Sequence, residues 1–367
     1  MHGVIIMSLL LSGFVPTFSP VSSHTAQSAA ASALGWLAAN ENSDGSYTST
    51  PEYYQHWTAA AAYALWLNNS SSPYASKAYS WIASQMDNSS SGAWYEADIP
   101  GEISYSLAVS GNLGLLHNSS DYSALRDFQQ PDGGFSGFAE PPTYAPVTSA
   151  VDTSMALWGL SHANELSTSS QGRAASYLFS LQNATDGSFN LTKRTDYNSL
   201  ESMAPDPISL TALAIAVLKD NAYTASDSRI SHGLDYLDRS LSASFKSRVD
   251  PANSTGHVYA ASLAAIAFND YGRSNDAYAS IAFIMAKQSA DGGFHDASSG
   301  STASNALATA WAAIALQQVP AGPEPNAPLP VVAIFGIIAS IVGVAVIVGL
   351  VVYLVRRNKT QTQVESL

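Results

Sequence analysis

The sequence predicts an all-α protein: an (α/α)6 toroid of six helical hairpins, followed by one C-terminal transmembrane helix. Three observations carry this. A glycine-bearing corner, "QQPDGGFSGF" at 129–138, recurs along the chain. The segments before and after each corner differ in kind, one striped and one apolar all round. The last long apolar run is uncharged and ends in arginines. With 367 residues, 46% hydrophobic and 12% charged, the chain has ample material for one large core.

The corner reappears as "LQNATDGSF" (181–189) and "KQSADGGF" (287–294), and more faintly as "NENSDGSY" (40–47). Its aspartates, Asp44, Asp132, Asp186 and Asp291, are separated by 88, 54 and 105 residues, or two, one and two units of about 50. Eroded copies fall where that period requires them, "SGAW" ending at Trp94 and "SASF" ending at Phe245. Each corner follows a segment with one apolar stripe, such as "GRAASYLFSLQ", and precedes a small-residue apolar segment, such as "ISLTALAIAVL". The striped helices should wrap the outside and the apolar ones form an inner ring. Closing the ring hides the ends that an open solenoid would have to cap. The repeats place the toroid at residues 25–318.

The flanks read as targeting segments. Residues 1–23 hold a short apolar run, "VIIMSLLLS", and a small-residue zone expected of a signal peptide. Residues 319–330 form a proline-rich linker. Val331 to Val355 is 25 residues without a charge, enough to cross ~30 Å of hydrocarbon. Arg356, Arg357 and Lys359 open a short cytoplasmic tail, 356–367, so the expected localisation is the cell membrane, single-pass, with the N-terminal domain extracellular. Setting aside those three cations and Glu365, 12 Lys+Arg face 27 Asp+Glu, which argues against nucleic acid as a partner. Glycosylation sequons stand at Asn68, Asn69, Asn88, Asn118, Asn183, Asn190 and Asn253. Without cysteine the chain has no disulfide, no thiolate zinc site and no complement-type internal thioester.

"QQPDGGFSGF" through "TSAVDTSMALWGL" resembles the repeats of the protein prenyltransferase β-subunits and squalene/terpenoid cyclases, which carry Gln-x-x-x-Asp-Gly-x-Trp/Phe. The resemblance covers nearly all of 25–318. It implies that the glutamine and aromatic of each corner tie neighbouring hairpins together. The structural repeat residues are then Asp44 and Gly45; Gln130, Asp132, Gly133 and Phe135; Gln182, Asp186, Gly187 and Phe189; and Gln288, Asp291, Gly292 and Phe294. A phosphate-cradling role for the corner is disfavoured, because no Lys-Ser/Thr follows it.

The resemblance also implies a site at the mouth of the inner ring, near the starts of the apolar helices. Binding candidates there are His56, Trp57, Glu102, Tyr105, Thr153, Tyr259 and Asn305; catalytic candidates are Asp152, Asp206 and His257. In "SAVDTS" (149–154), Asp152 and Thr153 match the end of the cyclases' Asp-x-Asp-Asp-Thr-Ala, but Ser149 and Val151 replace the other acids. A lone carboxylate at a helix N-terminus should stay ionised, which makes a helix cap the simpler role for Asp152. In "PDPIS", Ile208 occupies the place of the prenyltransferase zinc thiolate, leaving Asp206 and His257 without a partner sulfur. Pro207 makes Asp206 a natural helix start, and no metal or other cofactor is expected. Gly-x-Ser-x-Gly and His-Glu-x-x-His are absent, and no arginine lies at an apolar-helix start, against a polyuronate lyase. Abundant aromatics, among them Trp57, Trp66, Tyr105, Tyr144, Trp158, Tyr259 and Trp311, serve either as core or as a cavity lining.

The broken motifs favour a toroid that binds an apolar (isoprenoid or lipid) or glycan ligand, or a partner protein, without the family's intact catalytic motifs. The alternative is a cyclase- or prenyltransferase-type enzyme with a rearranged site. Converging carboxyl groups, one with a raised pKa, would distinguish the enzyme from the binder.

Overall fold

The structure is a computed structural model and describes residues 25–47, 55–94, 96–117, 121–136, 147–193, 206–245, 257–295 and 303–320. The expected signal peptide, transmembrane segment and tail, most of the linker, Tyr144, and the sequons at Asn118 and Asn253 lie outside these residues. Among the described residues no helix is long and apolar enough to cross a membrane.

Among the described residues six helices form the outer layer: α1 (Ala26–Ala39), α3 (Pro73–Met86), α5 (Asp121–Asp127), α7 (Thr168–Ser180), α9 (Ser228–Ser242) and α11 (Ser274–Met285). Six alternate with them inside: α2 (Gln55–Asn68), α4 (Asp98–Val109), α6 (Ala150–His162), α8 (Pro207–Asp220), α10 (Val258–Asp270) and α12 (Ala306–Gln318). The inner helices bury almost every residue, whereas the outer ones bury a single face, as the two sequence patterns require.

Each inner helix packs on the next, and α12 packs on α2, so the ring closes. Its seam is hydrogen-bonded: Gln317 Nε2 donates to the Ala64 carbonyl (3.1 Å) and Gln318 Nε2 to the Tyr63 hydroxyl (2.8 Å). On the outer wall, Trp36 Nε1 donates to Asp291 (3.0 Å).

The recurring corners are the joints between hairpins. In each, the aspartate accepts a backbone N–H two residues on, as Asp186 does from Ser188 (3.0 Å). The aromatic residue buries its ring and donates its backbone N–H to a threonine of the inner helix: Tyr47 to Thr58, Phe135 to Thr153, Phe189 to Thr211, and Phe294 to Thr309, all at 2.9–3.0 Å. The glutamine reaches the following outer helix. Gln182 Nε2 bonds the Arg229 carbonyl (2.8 Å) and Gln288 Nε2 that of Ala29 (2.8 Å). In the third copy this tie is made by Gln129, to Ser170 (2.9 Å). Gln130, the residue expected there, turns inward to the Phe128 carbonyl (3.0 Å). Of the two adjacent glutamines, the one three residues before Asp132 has the reach.

The joint glycine must be glycine. Gly187 has φ +82°, and a Cβ there would collide with the His232 carbonyl of α9. Gly187→Ala is therefore expected to destabilise the domain by about 1–3 kcal/mol through backbone strain and displacement of α9. Gly35→Ala, in α1 with open space around it, should instead be neutral or slightly stabilising. Thermal denaturation of the two variants checks the contrast. The eroded fifth copy manages without glycine, holding Ser244 and Phe245 at φ +57° and +51°.

Candidate functional site

The acids gather where the inner helices begin. Gly101 and Gly159 let the backbones of α4 and α6 touch, since a Cβ at either would meet the other helix's main chain. This close approach carries Asp152, in the first turn of α6, up to the start of α4. Asp98 N–H donates to Asp152 Oδ1 (3.3 Å), and the Ser149 hydroxyl donates to Asp152 Oδ2 (2.5 Å). Ser149 is the true N-cap, accepting from the Asp152 amide (3.0 Å), so Asp152 is not the cap that its position implies. Oxygens of Glu96, Asp98 and Asp152 all lie within 4.8 Å of one another.

His56, at the start of α2, joins this group. Its Nδ1 lies 2.6 Å from Glu102 Oε2 and its Nε2 3.3 Å from Asp98 Oδ2. Asp98 and Glu102 are one turn apart on α4 and so share the face that meets the ring. Burial opposes charge on the imidazole, but Asp98 and Glu102 outweigh it and hold the His56 pKa well above its usual value. Both ring nitrogens then donate.

Asp152 behaves in the opposite sense. It is only 5% exposed. Burial, followed by the nearby Asp98 carboxylate, pushes its pKa well above the usual range despite the hydrogen bonds it accepts from Ser149 and Asp98. The helix N-terminus, expected to keep it ionised, loses to desolvation and to like charges supplied by the neighbouring hairpin. Glu96 is exposed as a residue, yet its carboxyl is partly desolvated. That desolvation and Asp98 raise its pKa as well. The spacing of these oxygens is compatible with an oxygen-liganded cation. His56 supplies one positive charge to this group, shared between Asp98 and Glu102.

The other expected site residues are placed as follows. Asp206 caps α8, accepting from the Ile208 amide (3.2 Å), and pairs with buried His257 at the N-cap of α10 (3.6 Å). Thr153 accepts from the Phe135 joint and Asn305 caps α12 through the Ala308 amide (2.8 Å), so both side chains already hold structural hydrogen bonds. Trp57 packs half-buried against the core. Tyr105 does not reach the mouth. It belongs to an aromatic layer in which it stacks on Trp158 (4.0 Å) and meets Tyr63 edge-on (5.7 Å). Trp158 in turn stacks on Trp311 (6.1 Å), which Tyr259 meets edge-on. Because α6 and α12 are three places apart in the ring of six, this layer crosses its middle. Trp158 follows Asp152 by six residues, putting the layer about 9 Å below the acids at 1.5 Å per residue.

Glu96 and Asp98 were not among the expected site residues. The signal was present in "EADIPGE" (96–102), three acids in seven residues beside a proline, but that segment sits in an eroded repeat with no Asp-Gly corner to mark it.

Acids with raised pKa values set a pH dependence. Asp121 and Asp270 are each lifted from 3.8 to about 6, chiefly by burial and then by Asp87 and Asp220 respectively. Between those values the folded state holds more protons than the unfolded chain, so stability falls as pH rises. Asp152 and Glu96 act with the same sign. The acids with lowered values, Asp44, Asp227 and Asp291, lose their contribution only below pH ~4. The melting temperature should accordingly be higher at pH 5 than at pH 7. A scan showing the reverse order would contradict these burials.

Residues 115–295 match the family described as the A-macroglobulin TED domain, itself toroid-like and helical. No curated protein matches the chain. Among solved structures, a substitution variant of type II terpene cyclase MstE from Scytonema, bound to its substrate geranylgeranyl dihydroxybenzoate, aligns with a TM-score of 0.58. Identity is 14%, over 80% of this chain and 97% of that one. Apo MstE gives 0.58 at 15% identity, over 80% and 97%. A protein from Actinoplanes gives 0.56 at 14% identity, over 80% and 98%. At such identities the likeness concerns fold. Repeat joints, a closed inner ring and this likeness together make the chain an α/α toroid of the terpenoid cyclase/prenyltransferase fold.

Proposed function

We propose that the chain is a Brønsted-acid enzyme of terpenoid-cyclase type, with Asp152 as the general acid, displayed on the outer side of a membrane by its 331–355 segment. The observation that carries this reading is Asp152 itself: buried, within 4.8 Å of two further carboxyl groups, with its pKa raised by burial and by the nearby Asp98 charge. The lost acids of the cyclase motif have their counterpart in Asp98 and Glu96, which come from the preceding hairpin. Their charges raise the pKa of Asp152 as its missing sequence neighbours would.

In this chemistry the Asp152 O–H gives its proton to one carbon of an alkene. The π pair forms the new C–H bond, and the adjacent carbon becomes cationic. Carboxylate charge at the mouth and the aromatic faces below it favour that cation over the neutral ground state. The substrate of MstE, a geranylgeranyl chain on a dihydroxybenzoate, points to polyprenyl-bearing compounds as the class to try first. His56 pairs with Asp98 and Glu102 and holds both side chains in place beside Asp152.

A second reading, a non-catalytic toroid that binds a partner protein, draws on the Trp158–Trp311 stack, which fills the ring's middle and limits how deep a ligand can go. Incubating the full-length chain with polyprenyl-bearing compounds, geranylgeranyl dihydroxybenzoate among them, in D2O separates the two. Cyclised product carrying a carbon-bound deuteron, formed by the wild type and not by Asp152→Asn, supports the enzyme. Product formation that survives Asp152→Asn would overturn Asp152 as the general acid, and no product from any such compound favours the binder.

A further inference from the structure

Five of the outward sequons fall on described residues, and the fold sorts them by geometry. At Asn69, Asn88 and Asn183 the side-chain Oδ1 accepts the backbone N–H two residues on, from Ser71 (3.0 Å), Ser90 (3.1 Å) and Thr185 (2.8 Å). Each is an Asx turn closed on the hydroxyl residue of the sequon itself. It pins the oxygen end of the amide and draws the hydroxyl residue back beside it. Among the described residues the Nδ2 of these three asparagines donates to nothing. Residues 69–71 and 88–90 are exposed, as are Ala184 and Thr185, with Asn183 half-buried at its joint. Resting on the outward placement proposed above, and not on the chemistry of Asp152, we propose that Asn69, Asn88 and Asn183 are the N-glycosylated positions of the described domain.

The other two sequons are spoiled by the fold. Asn190 donates its Nδ2 to the Leu181 carbonyl (3.1 Å), and Thr192, its hydroxyl residue, is 3% exposed. Asn68 is the last residue of α2, still helical, and its side chain closes no such turn on Ser70. At a competent site, transfer joins the amide nitrogen to the anomeric carbon of a glycan carried on a lipid phosphate. The bond from that carbon to the phosphate oxygen breaks, the phosphate leaves with the electron pair, and the amide gives up one proton. Asn88 and Asn183 follow the outer helices α3 and α7, whereas Asn69 follows the inner helix α2, so sugar stands at both ends of the ring wall. Ser70 lines a groove of about 150 Å³ with Trp66, Tyr79 and Asn112, an aromatic and hydroxyl-bearing surface for the first sugar on Asn69.

Glycopeptide mass spectrometry of the full-length chain from its native membranes tests the assignment. Sugar is expected at Asn69, Asn88 and Asn183, and none at Asn190 or at Asn358, whose sequon lies in the tail on the other side. Ser71→Ala, Ser90→Ala and Thr185→Ala keep the backbone N–H, and so the turn, but remove the hydroxyl. Each should lose one glycan mass with the fold intact by circular dichroism, and Ser90→Thr should retain it. Sugar at Asn190 in place of these three would overturn the geometric assignment while leaving the outward placement. A bare chain that a membrane-impermeant, amine-reactive label still reaches on intact cells would overturn the modification alone. A bare chain that the label does not reach would overturn the outward placement, and the assignment with it. None of these outcomes bears on Asp152, whose role is read by turnover.

Discussion

Asp152→Asn should lower the rate of proton-initiated turnover by about 10²–10⁴-fold while leaving the fold intact. The asparagine side chain is nearly isosteric with the protonated acid. Its oxygen can still accept from Ser149 or from the Asp98 amide, and it introduces no charge where charge is costly. Because burial and the Asp98 charge disfavour ionisation of the native residue, the variant should melt at or above the wild-type temperature near pH 7, and its stability should depend less on pH. A loss of activity accompanied by a drop in melting temperature would instead make Asp152 a purely structural group. The decisive measurement is the pair of values, turnover and melting temperature, on the same preparation.

His56→Ala should produce the opposite pattern, with stability lost first. Its imidazolium is the counter-charge to Asp98 and Glu102, which are 10% and 3% exposed as side chains. Removing it leaves two carboxylates in a water-poor wall, a change that costs about 3 kcal/mol. For a domain of this size that is roughly a 5 °C fall in melting temperature. Adding Glu102→Gln removes one stranded charge and should recover most of the loss, a coupling that a double-mutant cycle measures directly. The penalty should also shrink toward pH 5, where stranded carboxyl groups can take up protons. A cycle in which the two substitutions simply add would mean that His56 does not hold Glu102.

Much of the architecture was legible because the joints are local in sequence. Asp, Gly and the aromatic occupy fixed offsets, and each does one job that any copy reveals. The adjacent glutamines of the third copy were ambiguous because both Gln129 and Gln130 precede the turn, and only the backbone path shows which one reaches Ser170. Asp152 could be found as a motif remnant, but its protonation state could not. That state depends on Asp98, 54 residues away, and on two glycines that let α4 and α6 touch. Thr153 and Asn305 look like mouth residues in the sequence because capping and joint-making use the same short polar side chains as ligand recognition. Tyr105 illustrates depth: a residue seven positions beyond Asp98 on the same helix is about two turns down, beside Trp158 rather than the acids.

The seam between α12 and α2 bears on synthesis. Hydrogen bonds there join residues 253 and 255 positions apart, so the first inner helix waits for the last to be translated before its flank is covered. A nascent chain lacking residues 306–318 has an open arc with two raw edges, and deleting any one hairpin breaks two neighbourly contacts instead of one. Truncated forms of this ring are therefore prey for chaperones and proteases, with no half-sized product to fall back on.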